Sequence, residues 1–492
     1  MSDNSGKKVV TRFAPSPTGF LHIGGVRTAL FAYLYARQNN GSFILRIEDT
    51  DKEREVPGSI QHIQDSLSWV GIDWDYGPNN PKEFGSVIQS ERLPTYLEWA
   101  NKLIEKGLAY PDPYSKEELD EFRKKAEEEK KPFLFRNHRP EKFDVWDGKK
   151  PLRFKVPEIK RYKWNDLVRG DLEAGEEALD DFILIKSDGY PTYNFAHIID
   201  DYNMGVTHIM RADEFIASTP KFLSLYDALG IERPIFVSLP PILRDDRTKK
   251  LGKRDGAKDI LDYKAEGYLP EAMMNFLAFI GWNPGGEKEI FTKEELIKSF
   301  DIHKIQKAGG AFNEDKLDWM NKEHIKLLPV DTVRTEIENR LKNNPSVGQN
   351  DKLSDKNFLD KISNVIMDHI SKWSDVDTMV GEGEIAYYFE TPEYDHTLLY
   401  WKGKEDKETT KKHLEWVMGT INTAPDEVFS DLEKIKEMIF GYATDMGRGE
   451  VLWPLRVALC GKEKSPDPFN LIYILGKDES IKRITNAIGK LS

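Results

Sequence analysis

Short apolar runs and stretches with helical spacing alternate along the first half of the chain. Val9 and Val10 begin an apolar strand that runs into Phe13, prolines and glycines then interrupt the pattern, and residues 28–37 follow the spacing of an amphipathic helix. A strand, a loop and a helix N-terminus in this order present unpaired backbone N–H groups and the positive end of a helix dipole. The pattern therefore predicts a binding site for a polyphosphate.

Two further strands are predicted to end in charged residues. Residues 43–47 alternate as a strand that ends at Glu48, and residues 206–210 form a strand that ends at Arg211. The apolar residues 182–186 predict another strand, which we expect to resume the same sheet. Ligands of α/β sheets bind at the carboxyl ends of the strands. We therefore expect both charged loops to face one crevice.

The composition is that of a globular protein. The chain has 492 residues, of which 39% are hydrophobic and 32% charged, and this length suggests three or four domains. No apolar run is long enough to cross a bilayer and the polar first residues lack a signal-peptide core, so we expect a cytoplasmic protein with no membrane partner. The net charge of −13 argues against a polyanionic partner unless basic segments are local, and residues 244–254 form such a segment.

The chain has a single cysteine, Cys460. One thiol excludes an internal disulfide bond and a zinc site built from several cysteines. We expect Cys460 to be a small buried apolar residue and not a nucleophile. Neither zinc nor any other metal held by protein ligands is expected.

The loop after the first strand differs from the common phosphate-binding sequences. It lacks the Gly-Lys-Ser/Thr of a Walker sequence and the GxGxxG of dinucleotide-binding proteins. It contains His22 followed by Gly24 and Gly25, which places a ring nitrogen beside glycines that allow close approach to the backbone. Taken alone, these residues would also fit a glycine-rich turn with a solvated histidine.

The wider segment PSPTGFLHIGG resembles the HIGH signature of class I aminoacyl-tRNA synthetases, in the form found in glutamyl-tRNA synthetases. The downstream RIEDTD matches the same family, and KKLGKR, residues 249–254, resembles its second signature, the KMSKS loop. The resemblance extends through most of the chain, which is identified as a member of the bacterial-type glutamyl-tRNA synthetases. It departs from the pattern at Gly252, where relatives usually have serine, so we expect loop closure to be altered.

The resemblance implies an α/β Rossmann-type catalytic domain with an inserted acceptor-binding α+β domain, followed by all-α stem-contact and anticodon-binding domains. The composition changes after Pro111 and Pro113, where Ser115 and Glu118 form a capping box ahead of a highly charged helix. The expected ranges are 1–92 for the first half of the catalytic domain, 93–180 for the insertion, 181–243 for the second half, 244–328 for the stem-contact domain with the KMSKS-like loop, and 329–492 for the anticodon-binding domain.

A site that selects glutamate should offer two cations and one anion, because glutamate carries two carboxylates and one ammonium group. The resemblance assigns Arg12 to the side-chain carboxylate and Arg211 to the α-carboxylate. It assigns Glu48 to the amino group. A guanidinium held for a bidentate carboxylate would discriminate against glutamine, since a neutral amide leaves it half paired. The pocket is implied to include also Ala14, Ser16 and Tyr193.

The implied activity is the attachment of L-glutamate to tRNA(Glu) in two steps, formation of a glutamyl-adenylate from ATP and transfer to the terminal adenosine of the tRNA. His22 and the N–H groups around Gly24 and Gly25 would stabilise the developing charge. Lys250 and Lys253 would hold the outgoing phosphates, and Mg²⁺ would arrive with ATP and bridge them. The resemblance implies that ATP is contacted by Thr18, His22, Gly24, Glu214 and Lys253.

Beyond about residue 329 the pattern is one of amphipathic helices joined by polar turns. A helical C-terminal region is typical of bacterial-type glutamyl-tRNA synthetases, whereas glutaminyl and archaeal-eukaryotic enzymes end in β-barrels. On the matching pattern, Arg456, Ser465 and Pro468 would lie near the anticodon. A monomer is the family default.

Three alternatives compete with this interpretation. An enzyme that loads glutamate onto a modified nucleotide within a tRNA would resemble only the catalytic half, and a glutaminyl enzyme is disfavoured by the helical C-terminus and by Arg12. A non-catalytic tRNA-binding paralogue of the same fold would be favoured by the loss of His22 or Lys253, and both are present. The sequence leaves open whether tRNA(Gln) is also charged with glutamate.

Overall fold

The computed structural model describes residues 7–252 and 258–492. The chain divides into two compact units, residues 1–324 and residues 325–492. The strands are β1 Val10–Phe13, β2 Ser42–Leu45, β3 Ala109–Pro111, β4 Leu152–Phe154, β5 Tyr162–Asp166, β6 Gly170–Ala174, β7 Phe182–Ile185, β8 His208–Ala212, β9 Ile235–Leu239, β10 Ile242–Leu243 and β11 Gly310–Ala311.

The helices are α1 Ile23–Gln38, α2 Ser59–Val70, α3 Leu93–Glu105, α4 Lys116–Glu128, α5 Tyr193–Asn203, α6 Thr219–Leu229, α7 Ile260–Ala265, α8 Pro270–Phe279, α9 Lys293–Ser299, α10 Glu314–Leu327, α11 Val330–Asn343, α12 Lys356–His369, α13 Ser374–Gly381, α14 Ala386–Phe389, α15 Lys407–Thr423, α16 Leu432–Met446, α17 Arg448–Cys460 and α18 Pro468–Lys490. The regular elements from residue 328 to the end are all helical. Among the described residues, no helix is both long enough and apolar enough to span a bilayer.

A six-stranded sheet in the order β2-β1-β8-β9-β5-β6 forms the centre of the first unit. Its strands are parallel except for β6, which runs antiparallel to β5. Successive side chains of a strand face opposite sides of the sheet. Phe43 and Leu45 accordingly join the apolar cluster that contains α1 and α8, whereas Ile44 joins the cluster that contains α3, α5 and α6. The sheet is therefore covered by helices on both faces, as parallel sheets usually are.

The prediction that residues 182–186 resume the central sheet is wrong. β7 pairs antiparallel with β4, in a separate three-stranded sheet of order β3-β4-β7. The central sheet is instead extended by β5, which runs parallel to β9, and by β6 at the edge. An apolar run such as Phe182–Ile185 fits a buried strand of either sheet, so the pattern alone does not identify the partner strand.

The first helix also differs from its prediction as an amphipathic helix over residues 28–37. α1 begins five residues earlier, at Ile23, and 11 of its 16 residues are buried. It lies against β1 and β2 on one side and against α8 and α9 on the other. A helix that is covered on all sides has no polar face.

Two local predictions are confirmed, the Ser115–Glu118 capping box and the burial of Cys460, and further local features follow the same rules. The Ser115–Glu118 capping box begins α4, and a second capping box formed by Thr292 and Glu295 begins α9. The methionine and aromatic residues of α8 lie in the core, and Cys460 is buried at the end of α17. These features depend on residues close together in sequence or on burial alone, and are therefore readable from the chain.

Asp166 fixes the junction between β5 and β9. One carboxylate oxygen accepts the backbone N–H groups of Val168 and Arg169, and the other accepts the N–H of Ser238, each at 2.9 Å. Asp166→Ala leaves buried N–H groups without acceptors, so we expect it to lower the free energy of unfolding by about 2–5 kcal/mol. Urea unfolding measures this change.

The control for this prediction is Asp171→Ala on the neighbouring edge strand. Asp171 is exposed and accepts a hydrogen bond from the Asn165 side chain at 2.8 Å. We expect this variant to change the free energy of unfolding by no more than about 0.5 kcal/mol. Equal destabilisation by the two variants would contradict the role given to Asp166.

Candidate active site

Three charged side chains meet at the carboxyl ends of adjacent parallel strands. Arg12 lies on β1, Arg211 on β8, and Glu48 follows β2. Each is at most 6% exposed. Because β2, β1 and β8 are neighbours in the sheet, the two loops predicted to face one crevice lie together at the carboxyl ends of these strands.

A buried aspartate on α5 joins this group. Asp201 accepts a hydrogen bond from Nε of Arg12 at 3.1 Å and one from Nη1 of Arg46 at 2.7 Å. Arg46, which is fully buried, also contacts Glu48 at 2.9 Å. Burial alone would raise the pKa of Asp201, but Arg12 and Arg46 outweigh it and hold the pKa at about 2. Guanidinium and carboxylate groups thus alternate through the site.

Two of the three guanidinium nitrogens of Arg12 donate hydrogen bonds within the protein. Nε donates to Asp201, and Nη1 donates to the carbonyl oxygen of Met210 at 3.2 Å. Nη2 is the donor nitrogen that no described residue engages. A ligand carboxylate at this position would meet Nη2 and the remaining N–H of Nη1, while Nε stays paired with Asp201.

Arg211 is held differently. Its Nη2 donates to Oγ1 of Thr219 at 3.1 Å, whereas its Nη1 is buried and has no hydrogen-bond partner among the described residues. Within residues 7–252 and 258–492, no carboxylate lies within ion-pair distance of the Arg211 guanidinium. The guanidinium carbon lies between 4.9 and 5.4 Å from the ring centroids of Phe215, Phe222 and Phe236. Burial lowers the pKa of Arg211.

Tyr193 closes the group from the start of α5. Its ring stacks on His197 with centroids 4.5 Å apart, and Nδ1 of His197 lies 2.6 Å from the Tyr193 carbonyl oxygen. Burial raises the pKa of Tyr193 to about 12 and lowers the pKa of His197 to about 3. Both side chains are therefore neutral at pH 7.

The buried charges of the site do not balance. Asp200 accepts from Arg92 at 2.9 Å and from the Tyr96 hydroxyl at 2.7 Å, and it completes the group. Four guanidiniums face three carboxylates, because the neighbouring buried Asp49 is paired with Lys52 at 2.6 Å. The group therefore carries one excess positive charge, and its members are Arg12, Arg46, Arg92, Arg211, Glu48, Asp200 and Asp201. An uncompensated buried charge is costly, and an anionic ligand would remove that cost.

The loop of residues 14–22, called the glycine-rich loop below, leads directly into α1, with His22 as the helix cap. Nδ1 of His22 accepts the backbone N–H of Gly24 at 3.1 Å, so one N–H group predicted to be unpaired is taken by the histidine itself. A Cβ atom at Gly24 would lie 2.9 Å from the His22 ring, and one at Gly25 would lie 2.6 Å from Leu21. Gly24 therefore allows the ring to fold against the helix start, and Gly25 allows the close approach of Leu21.

The lysine-rich segment, residues 249–254, follows β10. Leu251 N–H donates to the carbonyl oxygen of Ile242 at 2.8 Å, which brings Lys250 to a fixed place on the surface. Nζ of Lys250 lies 2.7 Å from a carboxylate oxygen of Glu214, and both side chains are 58% exposed. Lys253, predicted to contact phosphates, lies outside the described residues.

Comparison with known proteins identifies the family. Residues 8–319 match the model of the catalytic domain of class I tRNA synthetases of the E and Q type, and residues 332–488 match an anticodon-binding domain. A glutamate–tRNA ligase of Clostridium botulinum strain Loch Maree is 40% identical over 98% of this chain and 99% of its own length. The chain belongs to the glutamate–tRNA ligase family. A second relative, from Clostridium acetobutylicum, is 39% identical over 98% of this chain and 99% of its length.

Solved structures of glutamate–tRNA ligases share the fold. A glutamate tRNA ligase from Elizabethkingia meningosepticum, solved in complex with its amino acid, has a TM-score of 0.87 and 34% identity, covering 99% of this chain and 100% of that one. The enzyme from Elizabethkingia anophelis has a TM-score of 0.84 over 98% of this chain and 100% of that one, at 34% identity. The predicted family and fold class are thereby confirmed.

Within this family framework, the predicted site residues fall into distinct groups. Arg12, Glu48, Tyr193 and Arg211 come together, and Glu214 and Lys250 form a separate pair on the surface. Ser16 and Thr18 are exposed in the loop after β1, where Thr18 N–H donates to the Ser16 carbonyl oxygen at 2.9 Å, and Ala14 is partly buried. The roles assigned to these residues stay predictions.

The three residues expected near the anticodon are not equivalent. Ser465 lines a cavity of about 470 Å³ in the helical unit, together with Lys462 and Lys464. Arg456 does not line it and donates to the carbonyl oxygen of Glu463 at 2.5 Å. Pro468 is buried as the first residue of α18. Of the three, only Ser465 therefore lines this cavity, and its hydroxyl donates to the carbonyl oxygen of Pro466 at 3.0 Å.

Sequence reasoning missed Arg46 and the acids Asp200 and Asp201. Arg46 is the first residue of the RIEDTD run, and the two acids end the stretch NFAHII, which reads as buried. Two consecutive acids within a buried stretch require cationic partners. That requirement was a usable signal, although it does not reveal which arginines supply the charge.

Asp201→Asn tests the electrostatic group. The pKa of Asp201 is about 2 in the folded protein, against 3.8 for an ordinary aspartate. A lowered folded-state pKa contributes stability above pH 4, here about 2 kcal/mol, and this contribution is lost as the pH falls towards 2. We expect Asp201→Asn to lower stability at pH 7 and to flatten its pH dependence between pH 4 and 2, measured by urea unfolding at each pH.

The exposed Asp445 provides the control, because Asp445→Asn should leave both the stability and its pH dependence nearly unchanged. An acid dependence that is equally steep in Asp201→Asn and in the unchanged protein would contradict the pairing of Asp201 with the two arginines.

Proposed function

We propose that this protein attaches L-glutamate to tRNA(Glu) in two steps, forming glutamyl-adenylate from ATP and then transferring the glutamyl group to the 3′-terminal adenosine of the tRNA. The observation that carries the proposal is the buried Arg211, whose Nη1 has no partner among the described residues. A buried guanidinium without a counter-ion is suited to a carboxylate ligand. We infer the reaction from membership of the family, and we infer the amino acid from the charge of this pocket.

The charge of the pocket favours glutamate over glutamine. Four arginines face three carboxylates in the buried group, and glutamate brings one net negative charge that balances them. Glutamine carries no net charge and would leave the excess cation buried, at a cost of roughly 2–5 kcal/mol. Selectivity then depends on the charge of the whole group as well as on the contact with Arg12.

Within the pocket, Arg211 pairs with the α-carboxylate and Arg12 donates to the side-chain carboxylate through its Nη atoms. Glu48 receives the ammonium group. Glu48 is held in place by Arg46, and burial raises its pKa, so an incoming cation also stabilises its charged form. Ser16, Ala14 and Tyr193 complete the pocket.

The α-carboxylate of glutamate attacks the α-phosphate of ATP, the bond to the β-phosphate breaks, and pyrophosphate leaves. His22 and the backbone around Gly24 and Gly25 stabilise the charge that develops at the start of α1. Lys250 and Lys253 neutralise the leaving phosphates, and Thr18 and Glu214 contact the nucleotide. Catalysis is then mainly positioning and electrostatics.

Mg²⁺ enters this scheme with ATP, as part of the substrate. The described residues contain no group of three or more His, Cys, Asp or Glu side chains that could hold a metal ion. Phosphate oxygens and water are the ligands that Mg²⁺ commonly keeps in such reactions. Zinc has no role in the proposal.

For the tRNA, we propose that residues 93–180 lie against the acceptor end, residues 244–328 against the stem, and residues 329–492 against the anticodon. The cavity lined by Ser465 and two lysines supports a contact with the nucleic acid, because cationic side chains neutralise phosphates. The protein acts as a monomer in the cytoplasm.

Exchange of labelled pyrophosphate into ATP tests the proposal directly. We expect exchange with glutamate in the presence of a tRNA with a glutamate anticodon, and none with glutamine. Omitting the tRNA tests whether activation depends on it. Absence of exchange under every condition would contradict the proposed activity and favour a non-catalytic tRNA-binding paralogue.

Arg211→Lys tests the pocket. Lysine keeps the charge but loses the planar pair of donors, so we expect the KM for glutamate to rise by roughly 30-fold or more with little change in the KM for ATP. Steady-state exchange kinetics measure both constants. Arg233→Lys, at an exposed ion pair with Asp227, is the control and should change neither. An unchanged KM for glutamate in Arg211→Lys would contradict the assignment.

A further inference from the structure

His62 lies where three segments of the catalytic unit meet. It is on α2, its side chain is 13% exposed, and it contacts both the glycine-rich loop and the residues that follow the lysine-rich segment. None of the roles proposed above uses it. Its contacts nevertheless join the two segments proposed to handle the phosphates of ATP.

On one side, His62 holds the loop that precedes α1. Nδ1 accepts the backbone N–H of Leu21 at 3.3 Å, and the imidazole stacks on Phe20 with ring centroids 4.5 Å apart. The start of α2 supports the same loop, since Ser59 Oγ donates to the carbonyl oxygen of Pro17 at 2.9 Å. The loop therefore rests on α2 at two points, Pro17 and Leu21.

On the other side, Nε2 of His62 lies 2.7 Å from Oδ2 of Asp259. Because Nδ1 is an acceptor, Nε2 carries the ring proton, so its approach to the carboxylate is electrostatically favourable although the angle is not that of an aligned hydrogen bond. The other oxygen of Asp259 accepts the N–H of Leu261 at 2.9 Å and so begins α7. Each carboxylate oxygen of Asp259 thus has its own partner.

After the lysine-rich segment, backbone hydrogen bonds at Asp259 and Ile260 attach the chain to the glycine-rich loop. The backbone of Asp259 forms an antiparallel bridge with His22, and the N–H of Ile260 donates to the carbonyl oxygen of Leu21 at 3.1 Å. The segment is fixed at its beginning by the bond from Leu251 to Ile242. His62 therefore contacts one of the two anchors of the segment.

We infer that His62 is a positioning residue that ties the anchor of the lysine-rich segment at Asp259 to the glycine-rich loop at Leu21. The inference rests on the proposed function, in which both segments act on the phosphates of one ATP molecule. Their relative placement then determines how well the lysines meet the phosphates, and an error of about 1 Å can cost up to about 100-fold in rate. The glutamate pocket, formed by other residues, is not involved.

His62→Ala removes both contacts. We expect the ratio kcat/KM for ATP in pyrophosphate exchange to fall by about tenfold or more, with the KM for glutamate changed by less than about twofold. His62→Gln should restore most of the activity, because its amide can both accept from Leu21 and donate to Asp259. Gln61→Ala, an exposed neighbour on α2, is the matched control and should have no effect.

Asp259→Asn provides a second variant that keeps the helix cap, since asparagine caps a helix about as well as aspartate. We expect it to lower kcat/KM for ATP, and the double variant to be no worse than His62→Ala, because both substitutions remove the contact between His62 and Asp259. Additive losses, equal effects on the ATP and glutamate constants, or no rescue by His62→Gln would overturn the inference.

Hydrogen exchange tests the same contact without requiring activity, so it separates failure of this inference from failure of the proposed function. In His62→Ala we expect the backbone amides of Leu21 and Ile260 to exchange about tenfold faster or more, with those of α1 unchanged. Unchanged exchange at both positions would overturn the inference even in a protein that shows no pyrophosphate exchange.

Discussion

The catalytic unit depends on one buried carboxylate. Asp201 is 1% exposed and pairs with both Arg12 and Arg46, and Arg46 in turn pairs with Glu48. Burying charges costs several kcal/mol for each ion, and the cost is offset only when every member is hydrogen-bonded. Removal of Asp201 would leave Arg12 without its carboxylate partner and Arg46 with one close partner fewer. The group therefore holds together as a unit and fixes the pocket before a ligand binds.

Arg211 stands apart from this network, and the contrast between the two arginines has a functional meaning. Arg12 is neutralised by Asp201, whereas Arg211 is surrounded by three phenylalanine rings and lacks a carboxylate among the described residues. A cation held by aromatic rings keeps its place at little cost in conformational entropy. Rigid placement combined with missing charge compensation is what a site for an anionic ligand requires.

The sequence allowed the strand ends, the helix caps and the helical C-terminal region to be predicted, because each depends on neighbouring residues or on simple periodicity. It did not allow the partner strand of β7 or the burial of α1 to be predicted, since both depend on segments distant in the chain. The same holds for the site. Arg12, Glu48 and Arg211 stand at predicted strand ends, whereas the pairing of Arg46 with Asp201 joins residues that are 155 positions apart.

The charged residues proposed to bind the amino acid are buried, whereas Lys250, proposed to bind the phosphates of ATP, is exposed. The amino-acid pocket is buried and held by charge pairs with a low exposure to water, while Lys250 and Glu214 form a pair in which each side chain is 58% exposed. An exposed ion pair contributes only about 0–1 kcal/mol, so the phosphates of ATP can readily compete for Lys250. The lysine-rich segment is instead held by backbone bonds near its ends, from Leu251 to Ile242 and from Ile260 to Leu21. In the proposed reaction, the rigid pocket selects the amino acid, and Lys250 exchanges Glu214 for a phosphate as pyrophosphate leaves.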